Sequence, residues 1–407
     1  MSEILFLAHR IPYPPDKGDK IRSWHFLDGL ARRHTVHLGA FVDDEADWPH
    51  ERTLAERCGE VCLRALPPRL ATARSAMGLL NGEPLTLPYY RDRALAQWVA
   101  SLAGRRSLDA VFVFSSSMAQ YATAAQFAPA TRRVLDLCDV DSDKWRQYAG
   151  SHKWPLSQVY AREARLLEQR EREYVEGFDA TLVIAETEAA SVRQFAPRGA
   201  SRVHVIGNGV DTTYFDPALQ WDDPYPAGVQ RIVFTGAMDY RANVDGVVWF
   251  VAEVLPRILR RTDRVQLAIV GARPSAEVVA LGSNHVQVTG RVDDVRPYLQ
   301  HADLVVAPLR IARGVQNKVL EALAMAKHVI ATPVAMHGLG RAAQGLAATA
   351  SSAPLFADLV VETLARPRTV AAAARAFVTE HFSWDANVAR LDDVLVAPGR
   401  LNIARAS

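Results

Sequence analysis

The chain has 407 residues, 49% of them hydrophobic and 23% charged, with 47 Lys and Arg against 45 Asp and Glu. Its length exceeds one ordinary core and predicts two domains, and its composition excludes a disordered chain. The near-balance of charge removes the electrostatic reason to expect a nucleic-acid binder.

Short apolar runs at 3–8, 35–42, 60–66, 109–114, 132–137, 179–184 and 202–206 predict strands in the first half. Helical spacing fills the gaps at 20–33, 91–103 and 142–176; in the last, Tyr160, Leu167 and Tyr174 form one stripe among Arg and Glu. Leu66 to Tyr90 is less regular, with Arg69, Arg74 and Arg91 among Leu, Met, Pro and Tyr. It reads either as a segment lining the site or as one resting on a membrane surface. Asp216 to Gly228, with three prolines and two tandem Asp, reads as a linker.

The second half repeats a cleaner unit. Arg231–Thr235, Val265–Val270, His285–Thr289, Asp303–Ala307 and Val329–Thr332 are each followed by Gly or Pro, as buried parallel strands ending in tight turns should be. Helices are expected at 244–261, 293–301 and 315–326. Strands alternating with helices imply doubly wound parallel sheets, whose ligands bind beyond the carboxyl ends of the strands. The expectation is an α/β chain of two Rossmann-like domains facing each other across a cleft. Their limits are residues 1–207 and 208–380, with a helical stretch at 381–407 crossing back to the first domain. Cys58, Cys62 and Cys138 lack a second Cys or His pair at zinc-ligand spacing, so neither a metal nor a disulfide is expected. No window reaches the roughly 18 apolar residues of a membrane span, and no signal peptide is expected.

The most informative segment runs from Arg310 to Lys327. Gly314 would let a ligand approach the backbone, and a helix entered near Val315 would present its free N–H groups to an anion. Lys318 in the first turn opposes the helix dipole, which a bound diphosphate would explain. Glu321 shares its face and suits ribose hydroxyls; an exposed Lys–Glu pair reads equally well from spacing alone. Arg241 and Asn243, in the turn after Arg231–Thr235, could meet phosphate or sugar, and Asn243 also suits an N-cap. In the first half, the proline-rich turn carries Gly18 with Lys17, Asp19 and Lys20, and either approaches a ligand or is a surface loop with solvated charges. His9, Asp136, Asp139 and Asp141 end strands or open helices there; Asp139 and His9 are candidates for orienting an acceptor, and Asp141 suits a cap. A dinucleotide fingerprint is absent, which counts against a dehydrogenase.

Several motifs in order carry a family resemblance: Ala8-His-Arg-Ile-Pro-Tyr-Pro-Pro-Asp-Lys-Gly-Asp-Lys-Ile-Arg22, Val134-Leu-Asp-Leu-Cys-Asp-Val-Asp-Ser142, Gly207-Asn-Gly-Val-Asp211, Phe234-Thr-Gly-Ala-Met-Asp-Tyr-Arg-Ala-Asn-Val-Asp245, Gly290-Arg-Val-Asp-Asp294 and the Lys318/Glu321 helix. Together they resemble GT-B glycosyltransferases of family 4, nearest the subgroup associated with exopolysaccharide and PEP-CTERM/exosortase clusters. The resemblance implies a retaining, metal-independent transferase with no cofactor. It would be cytoplasmic or peripheral on the inner membrane, and would take a UDP- or GDP-linked sugar donor and a saccharide or lipid-linked acceptor. It implies diphosphate contact at Lys318, ribose contact at Glu321, Gly18 near the donor phosphates and Arg291 near the base. The family's first acid of its Glu-x7-Glu pair falls here on Arg313, a departure that adds positive charge where relatives contact the sugar. A nucleotide-sugar epimerase and a non-catalytic nucleotide-sugar binder remain alternatives.

Overall fold

The computed structural model describes residues 1–15, 18–312, 315–340, 343–367 and 369–396. The chain divides into two compact units, one formed by Met1–Gly207 with the residues from Asn387 onward, the other by Asn208–Ala386.

In the first unit, β1 (Glu3–Ala8), β2 (Thr35–Val42), β3 (Val61–Ala65), β4 (Ala110–Phe114), β5 (Arg132–Asp136), β6 (Ala180–Val183) and β7 (Val203–Val205) make one sheet. Its order is β3-β2-β1-β4-β5-β6-β7, with every pairing parallel. Helices cover both faces of such a sheet, which is why residues 4–8 form an unbroken apolar run with no exposed side chain. The second unit holds β8 (Gln230–Thr235), β9 (Val265–Val270), β10 (Val286–Gly290), β11 (Leu304–Ala307), β12 (Val329–Ala331) and β13 (Ala348–Thr349). They are ordered β10-β9-β8-β11-β12-β13, again all parallel. Strand order reverses between β1 and β4 and between β8 and β11. At such a point the outgoing loops part to opposite faces and leave a crevice.

Several local expectations need correction. The stretch 142–176 is two helices, Asp141–Ser151 and Leu156–Gly177, because Pro155 cannot continue a helix and instead precedes the second one. Leu66 to Tyr90 is more regular than its composition suggests, with helices Pro68–Asn81 and Thr86–Tyr89. The stretch read as a linker is packed onto the second unit: Tyr225 is buried, its hydroxyl donates to Tyr298 O at 2.9 Å, and Trp221 N donates to Gln300 Oε1 at 3.0 Å.

At the carboxyl end of the chain, Val210 pairs with Ser383 and donates to Phe382 O at 2.8 Å, which keeps helix Ala372–Phe382 in the second unit. The next helix, Trp384–Leu395, lies mostly in the first unit. A Cβ on Gly29 would come within 2.5 Å of Val388, so helix Gly18–Ala31 has a bare position where the two helices meet. Asp392 pairs with His34 at 2.9 Å and Arg33 at 3.4 Å, and Val394 O accepts from Arg132 Nε at 2.5 Å.

The first unit is also pinned by a fully buried ion pair. Arg22 Nε lies 2.8 Å from Asp136 Oδ2, its Nη1 donates to Gly207 O at 3.0 Å, and the guanidinium stacks over Phe26. Burial pushes the Asp136 carboxyl up, and Arg22 and the N–H of Cys138 work against that. Removing one partner strands a buried charge. Arg22→Met is therefore expected to lower unfolding free energy by about 3–5 kcal/mol, read as an earlier urea midpoint, with most of it regained on adding Asp136→Leu. An unchanged midpoint in the single variant would contradict this account.

Candidate active site

A cavity of about 620 Å³ opens in the second unit at the carboxyl ends of β8, β9 and β10, against the segment that follows β11. Its size suits a small-molecule ligand. Gly236, Asn243, Gly271, Arg291, Val315, Lys318 and Glu321 line it, with Tyr214, Asp293, Gln316 and Asn317 among their neighbours.

Two glycines form its floor. Gly236 and Gly271 have φ of 151° and 156°, and a Cβ on Gly271 would stand 1.7 Å from Gly236 O. The loops after β8 and β9 therefore touch backbone to backbone. A Cβ on Gly236 would meet Asn243 Nδ2 at 2.6 Å and Lys318 Cε at 3.3 Å, so any side chain there would invade the polar pair beside it.

That pair spans the point where strand order reverses. Asn243 is the third residue of helix Arg241–Trp249, whose cap position is Tyr240, so the expected capping role does not hold. Its Nδ2 donates to Ala237 O at 2.9 Å, and its Oδ1 accepts from Lys318 Nζ at 2.8 Å. A lysine can only donate, which fixes the orientation of the amide. Lys318 opens helix Asn317–Ala324 at its second residue and lies over the Phe234 ring, 5.2 Å from its centre. Burial pulls its ammonium down to about 8, opposed by Glu321. Burial pushes the Glu321 carboxyl up, opposed in turn by Lys318. Both side chains are half-buried rather than a solvated surface pair. The site thus holds a cation beside a neutral amide and an aromatic face at a helix start, a setting that suits an anion; the N–H groups of Val319 and Leu320 are bonded to Gln316 O, so the helix would meet it through those of Asn317 and Lys318.

The remaining sequence-expected residues divide. Arg291 lines the cavity and is exposed; Arg241 is exposed at the start of its helix and is not among the lining residues. Arg313 and Gly314 lie outside the described residues, as does Lys17.

Gly18 opens helix Gly18–Ala31 in the first unit, exposed and with open space around its Cα. Lys20 is not solvated: it is buried with Nζ 2.7 Å from Asp47. His9 directly follows β1, with Nε2 3.3 Å from Asp19, stacked 5.8 Å from Phe114 and edge-on to Tyr90. Burial would raise the Asp19 carboxyl, but His9 and Arg10 hold it far below the usual carboxylate range. Asp139 is exposed. Asp136, expected to point outward, is committed to Arg22. Asp141 is the first residue of its helix rather than the cap, and accepts from Ser116 Oγ at 2.8 Å; burial raises its carboxyl. Glu188, which the sequence did not single out, is pushed up to about 7 by burial and by Asp139. Tyr214 was also missed, although it follows the Gly207–Asp211 motif closely. It carries the Arg296 guanidinium 3.7 Å from its ring centre.

Two Rossmann-like parallel-sheet units with these strand orders define the fold of GT-B glycosyltransferases. Residues 229–366, which hold most of the residues that line the cavity, match the model of the family Glycosyl transferases group 1. A GDP-mannose-dependent alpha-(1-6)-phosphatidylinositol monomannoside mannosyltransferase of Mycobacterium tuberculosis is 30% identical over 239 residues. That match takes in 53% of this chain and 60% of the relative, so the chain spans less than two thirds of the relative's length. Among solved structures, a glycosyltransferase from Rickettsia africae has TM-score 0.64 at 15% identity, over 97% of both chains. Sucrose-phosphate synthase from Thermosynechococcus elongatus has TM-score 0.65 at 16% identity, over 97% of this chain and 98% of that one. Anabaena HepE in complex with UDP has TM-score 0.62 at 17% identity, over 97% and 99%. At these identities the likeness is one of fold.

Lys318 dictates a pH dependence. An amine held at about 8 is fully charged below that pH and loses its charge as pH rises through it. Affinity for an anion held at Lys318 is therefore expected to fall as pH rises through about 8, by calorimetric titration. Lys318→Arg should remove the fall, because guanidinium does not titrate there. A wild-type profile that stays level to pH 10 would contradict a titrating Lys318 in the anion site.

Proposed function

We propose that the protein is a glycosyltransferase that binds a nucleotide-sugar in the second unit and passes the sugar to a saccharide acceptor. The observation that carries this reading is the Lys318–Asn243 pair with Glu321 in a cavity at the β8/β11 reversal. In this reading the diphosphate lies against Lys318 and the first-turn N–H groups of helix Asn317–Ala324, and Glu321 accepts from the ribose hydroxyls. Arg291 lies towards the base, and Tyr214 offers it an aromatic face. The donor nucleotide is UDP or GDP, in keeping with the UDP complex of Anabaena HepE and the GDP-mannose dependence of the mycobacterial relative.

In the reaction the bond from the anomeric carbon to the diphosphate oxygen breaks, and its electron pair leaves with the diphosphate. The acceptor hydroxyl oxygen bonds to the same face of the anomeric carbon, so configuration is retained. Its proton passes to the departing diphosphate oxygen. In this reading charge develops on the leaving group beside Lys318 and the start of its helix, a preformed cationic setting that stabilises it. That cationic environment supports a reaction without a metal ion, which chelator-resistant turnover would test. Arg241, Gly18 and Val315 belong to the same donor reading, as the motif resemblance implies for Arg313 and Gly314. His9 and Asp139 are assigned to orienting the acceptor. The motif resemblance supports a lipid-linked acceptor in cell-surface polysaccharide assembly, on the cytoplasmic side of a membrane.

The test is a thermal-shift series with UDP-, GDP-, ADP- and dTDP-sugars on wild type, Lys318→Ala and Glu321→Ala. Ligand at about 100 times its dissociation constant adds roughly 2.7 kcal/mol of stability. One nucleotide class should stabilise the wild type, and Lys318→Ala should weaken it by about 10–100-fold, the worth of a charged hydrogen bond. No stabilisation by any nucleotide-sugar would overturn the reading.

A further inference from the structure

Tyr214 lines the cavity from a turn, outside any helix or strand, and keeps 40% of its surface exposed. A ring carried on a turn stays in one place only if something holds it. Asp211 fixes the backbone, its Oδ1 accepting from Thr213 N at 3.0 Å and from Tyr214 N at 2.9 Å. Phe215 meets the ring edge-on at 5.0 Å. Arg296 does the rest. Its guanidinium carbon lies 3.7 Å from the centre of the Tyr214 ring, a stacking distance, and its Nη1 donates to Tyr214 O at 3.3 Å.

Arg296 is itself held from several sides. It is the first residue of helix Arg296–His301, and its backbone N–H donates to Asp294 Oδ1 at 2.9 Å. The Asp294 carboxylate also accepts from its Nε at 2.9 Å and its Nη2 at 2.7 Å. The Trp221 ring centre lies 4.8 Å from the guanidinium, and Trp221 N is tied to Gln300 of the same helix. These donors are committed inside the protein and the charge is matched by Asp294, so Arg296 is poorly suited to grip an anion directly. What it controls is the attitude of Tyr214. A ring already ordered loses little freedom when a ligand settles on it.

The same cavity carries the Lys318 cation, so an occupant that meets both needs an anionic part and a flat part. A nucleoside diphosphate has both, and any base offers a π-face for stacking. We propose that Arg296 is a positioning residue for the donor: it holds the Tyr214 ring as the surface on which the base stacks. The proposal rests on the reading of this cavity as a nucleoside diphosphate site.

The experiment is calorimetric titration of the full chain with UDP, GDP and inorganic pyrophosphate at pH 7. Arg296→Gln removes the charge and the planar fork, whereas Arg296→Lys removes the fork alone. Each should weaken the nucleoside diphosphate that the wild type binds by about tenfold, within the range that base stacking supplies. Pyrophosphate affinity should not change, because it has no base, and it doubles as the check that the site is folded. Tyr214→Ala should reproduce this pattern. Adding Arg296→Gln to Tyr214→Ala should weaken binding no further, since one residue acts through the other. Unchanged nucleotide affinity in both Arg296 variants, an equal loss with pyrophosphate, or losses that multiply in the double variant would each overturn the proposal and leave the donor reading standing. A wild type that binds neither UDP nor GDP would overturn that reading, and the proposal with it.

Discussion

Everything around the cavity follows from the space denied to a side chain at Gly271. With Gly236 O where its Cβ would stand, the loops leaving β8 and β9 can meet only as bare backbone. The loop after β8 then runs straight into helix Arg241–Trp249, carrying Asn243 to the lysine of a helix that follows β11. A carboxylate at Asn243 would neutralise Lys318. An amide holds the ammonium in place and leaves its charge for something else. Positioning without neutralisation is what an anion site requires, and it costs the protein the partial desolvation of a cation.

The first unit handles charge in the opposite way at the same end of its sheet. Asp136 is matched by Arg22, Asp19 by His9 and Arg10, and Asp47 by Lys20. Carboxyls left without a cation are instead pushed towards the protonated form: Glu171 to about 8 and Glu188 to about 7, both chiefly by burial. Glu171 accepts from the backbone N–H and the hydroxyl of Ser142, and Glu163 accepts from Leu85 and Thr86, so these acids serve as hydrogen-bond anchors for loops. The two sheets share a topology, yet one presents an uncommitted cation and the other mainly committed or neutralised acids.

Much of this was legible because parallel strands buried on both faces leave continuous apolar runs, and the glycines and prolines that end them sit one residue beyond. β13 was not, since two residues cannot make a pattern. The helix break at Pro155 was hidden by periodicity that carries on across it, although the proline itself was the signal. Spacing put Lys318 and Glu321 on one face but held no information about burial, which depends on Phe234 and Asn243 far away in sequence. The same holds for Arg22 and Asp136, which meet across 114 positions. Gly271 read as a strand end; only the fold shows which backbone it must clear.

The helix Trp384–Leu395 has a further consequence, for the order in which the molecule can be built. The residues that cover Gly29, pair with His34 and cap Arg132 are the last of the described chain to be synthesised. The sheet of the first unit is complete at β7, but on the ribosome it must wait with one helix face bare while the whole second unit is translated. Gly29 keeps that face smooth in the interval, a shallow furrow instead of a greasy ridge. The nascent chain thus carries less exposed apolar surface at that position until its last helix arrives.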